Sequence, residues 1–472
     1  MHDSNMQFEG ESQRNARPRG ASKRAAWPNF KIRFTEGFAK AHRIFGTDMA
    51  AATSPSIQRS RPRTWWLKYL AAAGPGLIVA FADTEAGSVT TAATSGAQFG
   101  MKLILLQLLL IVPLFVIQEM TVRLGTVSGR GHAALIRDRY GLGWAWVSLG
   151  TMLVTNFAAM ITQFIGIAGV AEIFGLPAAP VVAVAATALL GIAFSGRYRH
   201  AEYFALGLCL LEILFIPAAF AAHPSWSNVV GNGILGSQPL GDRGYMLLVA
   251  GNIGAVIMPW MIFYQQSATV EKRLTVDDLP MARVDTAIGA VATQLIMIAI
   301  VITTAATLYV HHQAVSDAAH AALALVPLTG QHWAGAAFGA GLIGAAMLGA
   351  LVVTLATSWA FGEAFHWPCS LNLNYFEAKR FYGLYGALVI LSAAVVLIRG
   401  LPLIQVTIEV MAFNAFVLPI VLGFLLVMAN DKKILGNRVN SWLGNVIAFG
   451  LSAVCVVLGL WLAFLTFTGQ AV

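Results

Sequence analysis

Stretches of about 20 mostly apolar residues follow one another along this chain, each long enough to cross about 30 Å of hydrocarbon as a helix. Eleven of them lie between about residues 67 and 468. In lipid every backbone polar group needs a partner within the chain, so segments of this length fold as helices rather than as open strands. Composition agrees: 57% of residues are hydrophobic, 11% are charged and the mean hydropathy is +0.70, against about 25% charged in an ordinary soluble domain. The 472 residues therefore read as one all-α polytopic membrane bundle, not as several soluble domains.

The spans fall at about 67–95, 101–123, 142–172, 178–195, 201–221, 246–268, 286–310, 335–363, 381–398, 403–428 and 441–468. Residues 1–62 are polar and rich in Arg and Lys, a disordered basic cytoplasmic tail. Residues 63–472 form the transmembrane domain, with a first repeat over about 67–221, a second over about 246–428 and an extra eleventh helix.

The net charge of +8 sits in the tail and in alternate loops. Arg123, Arg130, Arg137, Arg139, Arg197, Arg199, Lys272, Arg273, Arg283, Lys379, Arg380, Lys432, Lys433 and Arg438 share one side, whereas only Lys102, Arg243 and Arg399 face the other. By the positive-inside rule the N-terminus is cytoplasmic and the C-terminus external. This distribution describes a topology and excludes a nucleic-acid partner; the bilayer is the partner it implies. Cys209, Cys369 and Cys455 are dispersed, without the spacing of a zinc site. No P-loop, HExxH or GxSxG motif is present, so the chain is not read as an enzyme or an ATP-driven pump.

Two spans carry the signs of a broken helix. The first, GPGLIVAFADTEAGSVTTAATSGA, places Asp83, Glu85, Gly87 and Ser88 at mid-membrane, where carboxylates need a polar partner or a cavity. The sixth, GNIGAVIMPWMIFYQQS, has Gly251, Gly254 and Pro259 at its centre, and a proline there removes a helical hydrogen bond. Spans one and six correspond if spans one to five and six to ten are inverted repeats, which points to a substrate site at the midplane between them. Buried acids favour a cation. Carboxylate and carbonyl oxygens suit hard ions such as magnesium and manganese, and the Met258 thioether adds a preference for softer metals.

These segments resemble those of the Nramp divalent-metal transporters, and more closely the divergent bacterial relatives that include magnesium transporters. That family carries GPG in its first helix and Asp-Pro-Gly-Asn ten residues after the proline; here Pro75 is followed ten residues later by Glu85-Ala86-Gly87-Ser88. Its sixth-helix motif Gly-Ala-x-x-Met-Pro-His is matched by Gly254-Ala255-Val256-Ile257-Met258-Pro259-Trp260. The segment RLGTVSGRGHAALIRDRYG, Arg123 to Gly141, is similar to the loop after its second helix. The resemblance covers roughly residues 70–430 and implies that Glu85, Ser88, the Ala255 carbonyl and the Met258 sulfur bind metal, with Asp83 as an extra acid. By analogy, Gln405 and Asn414 of the tenth span supply further polar ligands. A transported divalent ion, whether manganese, iron or magnesium, is then the substrate, and no cofactor is implied.

The departures affect driving force. The family's histidine after Met-Pro is Trp260 here, and third-helix positions that are often acidic in the family are Met160 and Gln163. Proton-coupled transport through Asp83 or Glu85 and uncoupled facilitation both remain readings of these residues. The alternative function is a sodium-coupled organic-solute transporter of amino-acid type with the same inverted-repeat architecture; acids in the break argue against its anionic substrate. Elsewhere, Glu119 and Arg123 are spaced for a helix-face ion pair and Glu363 and His366 for packing or chelation. Glu172, Glu212 and Glu409 must be paired, hydrated or interfacial. Loop histidines His311, His312, His320 and His332 carry no assigned role.

Overall fold

The computed structural model describes residues 74–312, 332–398 and 403–467; the expected tail, His320 and Arg399 lie outside them. The described residues form helices and connecting turns, without a strand. In chain order the main helices are α1 (Pro75–Ala82), α2 (Ala86–Phe99), α3 (Ile104–Ser128), α4 (His132–Tyr140), α5 (Leu142–Ile173), α6 (Ala178–Phe194), α7 (Tyr198–Glu212) and α8 (Phe215–Ala221). They continue as α9 (Arg243–Val256), α10 (Pro259–Glu271), α11 (Leu279–Thr304), α12 (His332–Phe365), α13 (Lys379–Val396), α14 (Leu403–Ala429) and α15 (Trp442–Phe467).

Among the described residues nine helices are long and apolar enough to cross a membrane, against eleven expected spans. Two features account for the difference. The first span is split, and its second half α2 runs on through a 3₁₀ turn at Gly100–Leu103 into α3. The fourth, α6, is apolar but has only 17 residues.

Helix packing reflects the internal repetition. The first span packs on α11 as α10, the second half of the sixth, packs on α3; α5 meets α13 as α12 meets α6. Each pair exchanges a span with the one five places later, the relationship expected of two repeats. The α5–α12 contact joins the halves across the centre, where Asn156 Nδ2 donates to Thr357 Oγ1 at 2.7 Å. Without a hydrophobic drive between helices inside lipid, close packing and such bonds hold the bundle together. Gly254 shows the requirement: a side chain there would strike the Met411 carbonyl and the Ala415 nitrogen of α14.

At the helix ends, Arg123 pairs with Glu119 at 3.0 Å, as their spacing predicts, and Arg283 closes on the same carboxylate at 2.8 Å.

Candidate metal site

The two breaks have local causes. In an α-helix the Ala255 carbonyl accepts the N–H of residue 259, but that residue is Pro259 and has none. Helix α9 ends at Val256, Ile257 and Met258 turn extended with φ/ψ of −126/89° and −95/147°, and α10 restarts at Pro259. The freed Ala255 carbonyl accepts the Ser88 hydroxyl at 2.9 Å.

The first break spans Asp83, Thr84 and Glu85. Thr84 turns back onto the Phe81 carbonyl, with backbone N–H at 2.9 Å and hydroxyl at 2.6 Å, closing the C-terminus of α1. Glu85, at φ −54° and ψ 168°, begins α2, and the Ala86 N–H is taken by Gln163 Oε1 of α5 at 3.1 Å. The other end of α1 is also tied: Asp285 Oδ2 of α11 accepts from the N–H groups of Gly74, Gly76 and Leu77 at 3.3, 2.9 and 3.2 Å.

Asp83, Glu85, Ser88, Ala255 and Met258 are all 0% exposed. Both carboxylate oxygens of Glu85 and Oδ1 of Asp83 are buried without a hydrogen-bond partner. Asp83 Oδ2 accepts from Gln118 Nε2 of α3 at 3.1 Å. The Met258 sulfur accepts the indole N–H of Trp260 at 3.0 Å. At Gly87 an added side chain would meet the Met411 methyl carbon at 2.6 Å, Glu85 Oε1 at 2.8 Å and Thr162 Oγ1 at 3.1 Å. These three groups, from α14, the first break and α5, therefore close on one point, and only glycine leaves them room. Helix α2 packs against α9, and the carbonyl ends of α1 and α9 at the two breaks favour a cation.

The structure thus brings Ser88, near the first break, to the Ala255 carbonyl of the second break. Asn414 is buried one turn from Met411, its Nδ2 4.0 Å from the Met411 sulfur and its Oδ1 unpartnered. Gln405 corrects the expectation: it is exposed and donates to Glu409 at 2.9 Å. It lies about 13 Å down α14 from Asn414 at 1.5 Å per residue. Met160 and Gln163 are fully buried, and Gln163 does the work of a backbone cap.

Met411 is the residue that sequence reasoning missed, because a methionine in an apolar span reads as packing. Glu212, which the sequence marks as an acid needing a partner, is fully buried, with Oε2 in hydrogen-bond contact with the Thr84 hydroxyl and Oε1 unpartnered.

Among the described residues no three His, Cys, Asp or Glu side chains are grouped to hold a metal, so a cation at the breaks would draw on carbonyl, hydroxyl and thioether groups beside the acids. A separate cavity of about 480 Å³ is lined by Arg130, Ser267, Glu271, Glu363, His366 and Cys369, among others. There Glu363 accepts the Ser267 hydroxyl at 2.6 Å. Helix α12 stops at Phe365 and His366 turns to φ +54°, so the helical Glu363–His366 spacing does not persist.

Residues 76–465 match the family described as natural resistance-associated macrophage protein-like, Nramp. The chain is 27% identical over 416 residues to the divalent metal cation transporter MntH of Ralstonia nicotianae, covering 86% of this chain and 93% of that protein. It is 26% identical over 418 residues to MntH of Clostridium acetobutylicum, covering 86% and 92%. The fold is similar to the Eremococcus coleocola manganese transporter, with TM-score 0.68, 18% identity and coverage of 87% and 90%. It is also similar to MhsT in complex with L-phenylalanine, with TM-score 0.55, 16% identity and coverage of 82% and 97%.

Proposed function

The chain belongs to the Nramp family, and from that membership and the chemistry of its two helix breaks we propose that it is a secondary transporter importing divalent metal ions by alternating access. One observation carries the reading: the Glu85 carboxylate is fully buried with both oxygens unpartnered, while Ser88 of the same half-helix engages the backbone carbonyl that Pro259 releases. A buried carboxylate without a partner is costly, and a cation removes that cost directly.

Glu85, Ser88, the Ala255 carbonyl and the Met258 sulfur form the binding set, with Asn414 and the Met411 thioether at its edge. Oxygen donors give it capacity for manganese and magnesium, and the sulfurs extend it toward softer ions. Asp83, bonded to Gln118, adds negative charge beside the ligand set. Transport proceeds by rocking the half-helices about the breaks. Inward movement of a divalent ion gains about 4.6 kcal/mol per 100 mV, twice the single-charge value, from an inside-negative voltage. The alternation of loop charges supports an orientation with the N-terminus on the cytoplasmic side, and the short loops suit a bacterial inner membrane. The organic-solute reading gains nothing from the likeness to MhsT, which concerns the fold alone, and the acids at the break disfavour an anionic substrate.

Proteoliposomes held at an inside-negative voltage test this reading: manganese and magnesium should enter with the native protein and not with Glu85→Ala. Entry of neither ion at any voltage or pH gradient would overturn it.

A further inference from the structure

Where α6 ends and α13 begins, two segments far apart in sequence share one surface. The backbone N–H of Tyr198, which opens α7, donates to Asn372 Oδ1 at 3.3 Å, and Tyr382 of α13 donates its hydroxyl to the Leu373 carbonyl at 2.6 Å. The ring of Phe194, the last residue of α6, lies 5.3 Å from that of Tyr382 and 6.0 Å from that of Tyr375. These contacts hold the α6–α7 turn against the loop between α12 and α13. The loop is fixed from its other side by Glu271 of α10, whose Oε1 accepts the Ser370 hydroxyl at 2.5 Å and Asn372 Nδ2 at 3.0 Å.

Four cations stand on the joined segments, Arg197 and Arg199 on the turn and Lys379 and Arg380 at the end of the loop. All four are exposed, and none belongs to an ion pair among the described residues. The acids near them in sequence are engaged elsewhere: Glu202 pairs with Lys272 at 2.6 Å, and Glu377 accepts the Asn374 backbone N–H at 2.8 Å. Lys379 lies over the Phe376 ring at 5.9 Å and Arg380 over the Trp367 ring at 5.5 Å, so aromatic faces steady two of the charges. The cluster carries more positive charge than its own acids offset.

Loop charge alone would mark only topology. Two further features give this place a ligand. Tyr375 and Phe376 are exposed, Phe376 by 79%, and exposed aromatic rings level with basic side chains are what a lipid–water boundary accommodates. Beyond them α6 packs on α13, and Val184, Ile390 and Leu391 are exposed along these two helices. They stand about 15–18 Å along the helices from Phe194 and Lys379, at 1.5 Å per residue. A soluble anion would use the cations and leave this apolar seam bare; a phospholipid covers both.

We propose that the cluster and the seam bind one anionic phospholipid, its phosphate held by Arg197, Arg199, Lys379 and Arg380 and its acyl chains laid along α6 and α13. Arginine suits the phosphate because its planar fork offers paired N–H donors, and the two joined segments are already in place to receive it. The site lies apart from the helix breaks and is independent of the metal-transport reading.

Native mass spectrometry of the purified full chain, titrated with phosphatidylglycerol or with phosphatidylcholine of the same acyl chains, tests the proposal. The native protein should hold phosphatidylglycerol in preference, and Arg197→Gln/Arg199→Gln should weaken that binding about tenfold or more. Lys379→Gln/Arg380→Gln carries the same expectation and decides the matter if the first pair does not fold. Lys432→Gln/Lys433→Gln, which removes two exposed cations between α14 and α15, should leave the binding unchanged. An equal loss in this control pair would show diffuse surface charge and overturn the site, as would equal binding of the two lipids or undiminished binding in both cluster variants. Displacement of phosphatidylglycerol by equimolar glycerol phosphate, which has the anionic group and no acyl chains, would overturn the lipid as occupant in favour of a free phosphate.

Discussion

The hydroxyl of Ser88 donates to the Ala255 carbonyl at 2.9 Å, a bond between residues 167 positions apart that joins the two helix breaks. It exists because Pro259 cannot supply the N–H that would otherwise occupy that carbonyl. The carbonyl is held in place, so a metal ion bound between the breaks would meet an oxygen that is already oriented.

Ser88→Ala removes the hydroxyl and leaves a buried carbonyl unpaired, a change worth about 1–3 kcal/mol. Manganese affinity, measured by calorimetry on the purified protein, should fall roughly tenfold, the equivalent of about 1.4 kcal/mol. An unchanged affinity would remove Ser88 and its bond from the site.

Glu85→Gln retains the shape of the side chain and removes its charge. Loss of one partner of a buried charge pair costs about 2–5 kcal/mol, so divalent-ion binding should weaken about thirtyfold or more. Native-like binding by this variant would show that the ion sits elsewhere.

Trp260 occupies the Met258 sulfur with its indole N–H at 3.0 Å, which competes with a soft metal for the same lone pairs. Trp260→Phe should therefore raise the ratio of cadmium to magnesium uptake. A constant ratio would mean that the sulfur does not contact the ion.

Asp285 gathers three N–H groups at the start of α1. Replacing it with alanine should destabilise the fold by about 1–2 kcal/mol, as for a lost helix cap, and loosen α1. A cysteine at the buried position Ile78 should label faster from the cytoplasmic side in the Asp285→Ala background; equal rates would argue that the cap does not restrain the half-helix.

His132, at the start of α4 and outside the spanning segments, is buried and bonded through Nδ1 to Gln266 Oε1 at 3.0 Å. Burial lowers its pKa to about 4, with the Gln266 bond opposing the shift. Between that value and the ordinary 6.5 the unfolded chain binds the additional proton, so stability rises with pH across this window. The contribution is fully present above about 6.5 and is lost as pH falls toward 4, by up to about 3 kcal/mol. Unfolding in detergent across that range should show the slope, and His132→Gln should flatten it.

What the chain's order of residues determined by itself was the kind of solvent it folds in, the succession of helices, and the two places where helices cannot continue. These are local matters: a run of apolar residues is long enough to cross lipid or it is not, and Pro259 removes a specific N–H wherever the rest of the chain goes. Acids in the first span marked the other break for the same reason. Which groups meet at the breaks was decided by tertiary structure alone. Gln405 and Asn414 share a span and a polarity, yet one is exposed and the other buried, because helix rotation is set by packing against neighbours. Met411 and Glu212 looked like an ordinary core methionine and an unexplained acid. They acquired chemical meaning when α14 packed against Gly254 and Gly87, and when the fold brought α7 to Thr84.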